Sequence, residues 1–360
     1  MIHVVGARPN FMKVAPIMRE MNKYPGEFEQ ILIHTGQHYD VMMSEVFFRD
    51  LEMPEPQFNL EVGSGTHSWQ TAQVMLRFEP LVKDLRPDWV IVVGDVNSTL
   101  ACALVCSKLG VRAAHVEAGL RSFDRTMPEE INRLLTDHIA DLLFTHSEEA
   151  NRNLLREGIP AEKIHFVGNV MIDMLVRVLP KALARWSELA KALRLPERYL
   201  LVTLHRPSNV DDPETLAEIL AALSEVSQQI TVLFPIHPRT RQRIREHGLM
   251  NSIQGVQLHE PFGYLDFLAL QTHAALVLTD SGGIQEETTF LGIPCLTVRP
   301  NTERPITLSC GTNQLVASTR SALVEAILSR LAEGKVSKSK PPLWDGKAAE
   351  RIVKVFREVD

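Results

Sequence analysis

The sequence predicts an α/β protein with two Rossmann-like, doubly wound domains that face a central cleft. Short apolar runs alternate with helical patterns along most of the 360 residues. This alternation is typical of parallel sheets that are covered by helices on both faces. A chain of this length favours two domains. Polar motifs follow several predicted strands, where ligands bind in such sheets.

Twelve predicted strands form two groups of six, separated at 178–196 by a helical pattern without a strand. The first group comprises residues 2–5, 30–34, 89–93, 113–116, 142–145 and 164–167. The second group comprises residues 199–203, 231–235, 256–258, 275–278, 295–298 and 313–316. We therefore place a domain boundary near Gly168, with one domain at 1–168 and another at 169–342.

The C-terminal part of the chain has a different pattern. Residues 334–342 are rich in Lys, Ser and Pro, which predicts a surface linker. After it, Ala349, Ile352, Val353 and Phe356 recur at helical spacing. We expect 343–360 to form a helix that crosses back onto the first domain.

Composition excludes several classes of protein. The net charge of −6 gives no general attraction to nucleic acid or to an anionic membrane, so an anionic ligand needs a local basic cluster. The four cysteines lack metal-site or disulfide spacing, which favours reduced core thiols. The chain begins with a predicted strand rather than a signal peptide, and no apolar run reaches transmembrane length. We expect a soluble, cytoplasmic protein without a bound metal.

The stretch Asp-Ser-Gly-Gly-Ile-Gln-Glu-Glu at 280–287 follows an apolar run and opens a short predicted helix. Backbone N–H groups at a helix N-terminus bind anions, and Gly282 and Gly283 would allow a phosphate to approach closely. Glu287, one turn later, is suitably placed to bind a ribose hydroxyl pair. The alternative is a tight βα turn with a polar cap.

Carboxylates follow two strands of the first domain. Asp95 and Glu117 each come after an apolar run, and Glu129 and Glu130 lie in the first turn of a helix that begins at Pro128. Acidic residues stabilise a helix N-terminus, which explains one of these two glutamates, and Asp95 could also be a helix cap. More carboxylates meet at this edge than capping needs. We interpret them as an acid/base site.

Basic residues also follow predicted strands. Arg8 and Lys13 lie near the start of the first helix, where cations are unfavourable unless an anion joins them. His205 and Arg206 follow the first strand of the second domain, and Arg304 lies in a loop after a later strand. Surface charge is the alternative for each. No G-x-G-x-x-G motif is present, so a bound dinucleotide is not expected.

Taken together, these motifs resemble those of the non-hydrolysing UDP-N-acetylglucosamine 2-epimerases, in order along nearly the whole chain. The matching motifs are G-A-R-P at Gly6, G-D-V-N-S-T at Gly94, H-V-E-A-G-L-R-S at His115, P-E-E-I-N-R at Pro128, H-R at His205, D-S-G-G-I-Q-E-E at Asp280 and E-R-P at Glu303. The resemblance implies a glycosyltransferase-B-like fold, a homodimer and no cofactor. It implies reversible conversion of UDP-N-acetylglucosamine to UDP-N-acetylmannosamine, for cell-surface polysaccharide synthesis. The reaction proceeds by anti elimination of UDP to 2-acetamidoglucal and re-addition.

The resemblance also implies roles for individual residues. The catalytic groups would be Asp95, Glu117, Glu129 and His205. Substrate would be bound by Arg8, Lys13, Arg133, Arg206, Phe267, Ser281, Gly282, Gly283, Glu287 and Arg304, with Phe267 beside the uracil. A second UDP-N-acetylglucosamine, as an allosteric activator, would involve Gln37, His38 and His237.

The chain departs from the common pattern of the family in several places. The unusual residues are Asn10, Pro207, Ser208, Phe262 and Ile306. These departures leave open a 2-epimerase of a modified UDP-sugar such as a UDP-diacetamido-uronic acid, with Arg206 or Arg121 matching the added charge. The motifs also leave open a glycosyltransferase of the same architecture and a non-catalytic sensor of sugar nucleotides.

Overall fold

The structure, a computed structural model, describes residues 1–36, 53–334 and 340–359. The predicted allosteric residues Gln37 and His38 lie outside the described residues. The chain divides into an N-terminal unit, Met1–Met174 with Pro342–Asp360, and a C-terminal unit, Leu175–Pro341. Within the described ranges, no helix combines the length and the apolar character needed to span a bilayer.

The N-terminal unit contains a seven-stranded parallel sheet in the order β3-β2-β1-β4-β5-β6-β7. Its strands are β1 Ile2–Val5, β2 Ile31–His34, β3 Phe58–Asn59, β4 Trp89–Val93, β5 Arg112–Val116, β6 Leu142–Thr145 and β7 Ile164–Phe166. Its helices are α1 Arg8–Met21, α2 His67–Leu85, α3 Asn97–Leu109, α4 Pro128–Ile139 and α5 Glu148–Arg156, and α6 Val170–Leu193 begins in this unit and continues into the C-terminal unit. Every residue of β4 is buried, because helices cover both faces of the sheet.

The C-terminal unit contains a six-stranded parallel sheet in the order β10-β9-β8-β11-β12-β13. Its strands are β8 Tyr199–Thr203, β9 Thr231–Pro235, β10 Val256–His259, β11 Leu276–Thr279, β12 Cys295–Val298 and β13 Asn313–Val316. Its helices are α7 Pro207–Val210, α8 Pro213–Val226, α9 Pro238–Glu246, α10 Tyr264–His273, α11 Gly282–Leu291, α12 Ile306–Ser309 and α13 Arg320–Glu333. The first three begin at proline, whose fixed φ suits the first helical position.

The last helix, α14 Ala348–Glu358, belongs to the N-terminal unit. The ring of Phe356 lies 5.4 Å from Trp89 and 5.5 Å from Phe144, measured between centroids. The Asp173 carboxylate caps α14 by accepting from the backbone N–H groups of Ala348 and Ala349, at 3.0 and 2.7 Å. The C-terminal segment is thus anchored on this unit by aromatic packing and by a helix cap.

The prediction of two doubly wound parallel sheets is confirmed, and all twelve predicted strands are present. Four of them differ from the prediction by one residue at one end, and β11 is shifted by one residue at both ends. The prediction omitted the two-residue strand β3. All four cysteines are free thiols, but Cys310 is only partly buried, so the expectation of a core position is wrong for that residue.

Candidate active site

The order of the N-terminal sheet reverses between β1 and β4, which are neighbours although β2 and β3 intervene in sequence. Ligands of doubly wound sheets bind at the carboxyl ends of strands near such a reversal. Lys13 lies in α1 after β1, Asp95 follows β4, and Glu117 follows β5. The fold therefore brings these three predicted residues to one edge of one sheet.

Glu117 is buried and forms an ion pair with Lys13. The Nζ of Lys13 lies 2.6 Å from Oε2 of Glu117. The backbone of Glu117 has φ +75°, a left-handed conformation that is unusual for a residue with a side chain. Such strain costs roughly 1–3 kcal/mol and is concentrated at active sites. The backbone N–H of Glu117 donates to the carbonyl of Phe144 on the next strand, which helps to hold the conformation.

Asp95 is oriented by the helix α4. Its carboxylate forms an ion pair with Nη1 of Arg133, and its backbone carbonyl accepts from Nδ2 of Asn132 at 2.9 Å. The Arg133 side chain is buried, and its Nη2 also lies 2.7 Å from Oε2 of Glu130. Arg133, predicted to bind substrate, therefore forms ion pairs with two carboxylates of its own unit.

The two glutamates at the start of α4 have different environments. Glu130 accepts hydrogen bonds from the backbone N–H of Ser122, the Ser122 hydroxyl and the backbone N–H of Phe123, at 2.9, 3.0 and 2.9 Å. Burial disfavours its charged form, but these donors and Arg133 lower the pKa of Glu130 overall. Glu129 is only partly exposed, and the described part of the chain provides no hydrogen bond or ion pair to its carboxylate. Glu130 is thus the structural residue, and Glu129 remains available for chemistry.

A buried His115–Asp137 pair, which the sequence did not predict, supports the Asp95 loop. The Nδ1 of His115 lies 2.6 Å from Asp137 Oδ1, and Nε2 lies 2.8 Å from the carbonyl oxygen of Gly94. Arg121 also pairs with Asp137, at 2.7 Å. Burial opposes ionisation of Asp137, but His115 and Arg121 lower its pKa. The pair therefore connects α4 to the residue that precedes Asp95.

In the C-terminal sheet the order reverses between β8 and β11, which pair directly. His205 and Arg206 follow β8, and 280–283 follow β11. The loop after β12, the next strand in the sheet, contains Arg304. The predicted anion-binding residues of this unit thus lie at one edge of its sheet, near the reversal.

Three arginines surround the buried carboxylate of Glu303. Its oxygens lie 2.5 Å from Arg304 Nη1, 2.8 Å from Arg299 Nη2 and 3.6 Å from Arg206 Nη2. The Nε of Arg304 also donates to Glu286 at 2.8 Å. Burial disfavours the charged form of Glu303, yet Arg304 and Arg299 hold its pKa well below the ordinary range. Three guanidinium groups thus meet the carboxylates of Glu303 and Glu286 here, and Asp280 also acts electrostatically on Arg206.

The glycines at the start of α11 lie against this cluster. A Cβ added to Gly282 would lie 2.5 Å from Arg304 Nη1, so only glycine lets the guanidinium reach the first turn of the helix. A Cβ at Gly283 would meet no atom within 4 Å, which leaves open space beside the helix N–H groups. Ser281 is the N-cap residue, and its side chain makes no capping hydrogen bond. The positive end of the α11 dipole and the positive charge of Arg304 therefore lie together at the first turn of α11.

His205 is held by Asp280, which was not among the predicted site residues. The Nδ1 of His205 lies 3.0 Å from Oδ1 of Asp280. The other oxygen of Asp280 accepts from the backbone N–H groups of His205 and Arg206, both at 2.9 Å. Burial opposes ionisation of Asp280, but the His205 side chain and these backbone groups lower its pKa. The ring of His237 lies 5.6 Å from that of His205.

The remaining predicted residues lie on α1, α10 and α11. Glu287 is buried and accepts from the hydroxyl of Tyr264 at 2.8 Å, and burial raises the pKa of Glu287 to about 7. Phe267 in α10 packs in the apolar cluster that includes Ile284 of α11. Arg8 occupies the first position of α1 and is partly buried. Among the described residues, no three His, Cys, Asp or Glu side chains come together in a way that could hold a metal ion.

Comparison with known proteins identifies the family. A model of the UDP-N-acetylglucosamine 2-epimerase family matches residues 19–357. The chain belongs to this family. A UDP-N-acetylglucosamine 2-epimerase of Methanocaldococcus jannaschii is 44% identical over 98% of this chain and 97% of its own length. A crystal structure of the M. jannaschii enzyme in complex with UDP-GlcNAc and UDP matches with a TM-score of 0.92 at 42% identity, covering 99% of both chains.

The family also contains an enzyme named for a different sugar. A UDP-2,3-diacetamido-2,3-dideoxy-D-glucuronate 2-epimerase of Pseudomonas aeruginosa is 40% identical over 99% of both chains. The wall teichoic acid polymerase TagF matches with a TM-score of 0.55 at 11% identity, which shows a shared fold alone. The chain thus has the glycosyltransferase-B-like fold of the 2-epimerase family.

Proposed function

We propose that the chain interconverts UDP-N-acetylglucosamine and UDP-N-acetylmannosamine. The observation that supports this proposal is that the two sheets present different chemical groups at their carboxyl edges. Carboxylates lie at the carboxyl edge of one, and an arginine-rich anion site lies at the same edge of the other. Membership of the 2-epimerase family and the similarity to an enzyme bound to UDP-GlcNAc and UDP support the choice of substrate.

In this proposal the C-terminal unit binds UDP. Arg206, Arg304 and the N–H groups of Gly282 and Gly283 hold the diphosphate, because positive charge and unpaired helix donors favour an anion. Ser281 contributes its hydroxyl, Glu287 binds the ribose, and Phe267 lies by the uracil. Arg8 of the N-terminal unit is a further proposed substrate-binding residue, whereas Lys13 pairs with Glu117.

The N-terminal unit supplies the acid/base groups. A carboxylate removes the proton from C2, the electron pair forms the C1–C2 double bond, and the C1–O bond breaks with its electrons passing to UDP. The intermediate is 2-acetamidoglucal. A second group then protonates C2 from the opposite face, and the β-phosphate oxygen of UDP attacks C1. Asp95, Glu117 and Glu129 are the candidates for these proton transfers, and stabilisation of departing UDP lowers the barrier.

The buried position of Arg121 argues against a modified sugar as the substrate. A uronate needs an added cation, and Arg121 is 3% exposed and paired with Asp137 and Glu157. Arg206, the second candidate cation, belongs to the cluster around Glu303. A glycosyltransferase would need the UDP-binding residues but not the carboxylates of the N-terminal unit.

The proposal is tested by incubating the protein with UDP-N-acetylglucosamine in D2O and following the reaction by NMR. Deuterium at C2 and formation of UDP-N-acetylmannosamine are the expected results. Asp95→Asn and Glu117→Gln are expected to abolish exchange while UDP binding, measured by calorimetry, persists. Tight binding without exchange would exclude the proposed reaction for this sugar and favour a sensor.

We further propose a homodimer that acts in the cytoplasm. Large apolar side chains are exposed on two helices that both pack against α3 in the N-terminal unit: Trp69 and Leu76 on α2, and Leu135 on α4, are 43, 66 and 49% exposed. A partner subunit would cover them. Four free cysteines suit a reducing compartment. Light scattering of wild type and Leu76→Glu tests the dimer, and a monomeric wild type would exclude it.

An allosteric second UDP-N-acetylglucosamine also remains part of the proposal, with Gln37, His38 and His237 as its residues. The position of His237 beside His205 supports communication with the UDP site. Rates measured against UDP-N-acetylmannosamine with and without added UDP-N-acetylglucosamine test it. Activation that is lost in His38→Ala is expected, and equal rates would exclude an activator.

A further inference from the structure

Asp280 and His205 form a carboxylate–histidine pair at the reversal of the C-terminal sheet. Asp280 is fully buried, whereas the His205 side chain is 42% exposed. The carboxylate is fixed on its other oxygen by two backbone N–H groups and by Nδ2 of Asn209 at 3.1 Å. It therefore presents one oxygen to Nδ1 of His205 at a defined position.

This geometry favours one nitrogen of the imidazole as the carrier of the proton. An ionised carboxylate only accepts hydrogen bonds, so its position 3.0 Å from Nδ1 favours the hydrogen on that nitrogen. When the ring is neutral, the hydrogen is then on Nδ1, and Nε2 has a free lone pair. His205 is followed directly by Arg206 of the cluster around Glu303, and the ring of His237 lies 5.6 Å from that of His205.

We propose that Asp280 is a positioning residue that holds His205 in the Nδ1–H tautomer and thereby presents Nε2 to the diphosphate of UDP. This proposal rests on the proposed function and deepens it. As the C1–O bond breaks, its electron pair moves to the β-phosphate oxygen, and the proton on Nε2 of the imidazolium transfers to that oxygen. The ring becomes neutral and keeps its Nδ1–H. Re-addition of UDP returns the proton to Nε2.

The tautomer can be measured without turnover. In protein labelled with ¹⁵N-histidine, the His205 ring is assigned by comparison with His205→Gln, at a pH where the ring is neutral. We expect the Nδ1–H pattern in the wild type. In Asp280→Asn, the side-chain oxygen can replace one carboxylate oxygen at the backbone amides, and its NH2 group then faces the ring. We expect this variant to give the Nε2–H pattern. An Nε2–H ring in the wild type would overturn the proposal.

Kinetics provide the second measurement. By comparison with other enzymes in which the carboxylate of such a pair is replaced by an amide, kcat of Asp280→Asn should fall by roughly 10²–10⁴, with KM and UDP affinity within a few-fold of wild type. The double variant Asp280→Asn/His205→Gln should be no slower than His205→Gln, because Asp280 acts through His205. Independent, multiplicative losses would overturn the proposal.

Two controls separate this proposal from other effects. Asp211→Asn removes a carboxylate of the same unit that pairs with Arg239 and Arg243 at the surface, and it should leave kcat unchanged. Asp280→Glu keeps the carboxylate and should retain the Nδ1–H tautomer and part of kcat. If the wild type does not turn over UDP-N-acetylglucosamine, the proposed function fails, but the tautomer experiment still decides whether Asp280 orients His205.

Discussion

The Nζ of Lys13 lies 2.6 Å from Oε2 of Glu117, and the two side chains are 8 and 4% exposed. Lys13 belongs to α1, and Glu117 directly follows β5. The ion pair therefore connects two elements that emerge from different strands of one sheet. Neither charge is well solvated, so each depends on the other for its stability in the fold.

We predict that Lys13→Met and Glu117→Gln each destabilise the protein by about 3–5 kcal/mol, because each removes one partner of a buried ion pair. The double variant should lose less than the sum of the two. Denaturant unfolding measures all three. Removal of the exposed Lys83–Glu79 pair on α2 is the matched control and should cost about 0–1 kcal/mol. Additive losses at Lys13 and Glu117 would contradict the coupling.

The left-handed backbone of Glu117 leads to a second prediction. Glu117→Gly and Glu117→Ala both remove the carboxylate and leave Lys13 without its partner, so they differ chiefly in backbone strain. Glycine adopts φ +75° without a steric penalty, and the glycine variant should be more stable than the alanine variant by about 1 kcal/mol. Both should lack C2 exchange. Equal unfolding free energies would mean that the strain is negligible.

Glu129 and Glu130 provide a matched pair of variants. Glu130→Gln weakens the hydrogen bonds to Ser122 and Phe123 and the ion pair with Arg133, so we expect a loss of about 2–4 kcal/mol in unfolding free energy. Glu129→Gln should unfold like the wild type but lose most C2 exchange. A Glu129→Gln variant with normal exchange would show that this residue has no catalytic part.

The strands could be predicted from the sequence because each is a short apolar run bounded by polar or turn residues. Trp89–Val93 is buried at every position, so the burial of this strand can be predicted from its apolar composition alone. The strand β3, Phe58–Asn59, could not be found this way, since two residues that lie at the edge of the sheet carry no periodic signal.

The candidate site was predicted where a motif follows a strand, as for Asp95, Glu117 and His205. Pairings between distant residues were not accessible: His115 meets Asp137 from another element, and Arg304 meets Glu286 within a buried cluster. Lys13 was assigned to the anion from its helix position, yet the fold places it against Glu117. A single sequence indicates which residues follow a strand and so lie at a sheet edge. It does not indicate which of these residues form pairs there.

The pKa of Glu287, raised by burial from its ordinary value of 4.5 to about 7, leads to the last prediction. The folded state binds this proton more tightly than the unfolded state, so its contribution to stability is full below pH 4.5. That contribution is lost as the pH rises through 7. The difference between a pKa of 4.5 and one of about 7 corresponds to about 3 kcal/mol. Glu287→Gln keeps an oxygen for the Tyr264 hydroxyl but cannot ionise. Its unfolding free energy should therefore rise relative to wild type by about this amount between pH 4.5 and 8. Unfolding curves across this range measure the difference, and a constant offset between the two proteins would contradict the raised pKa.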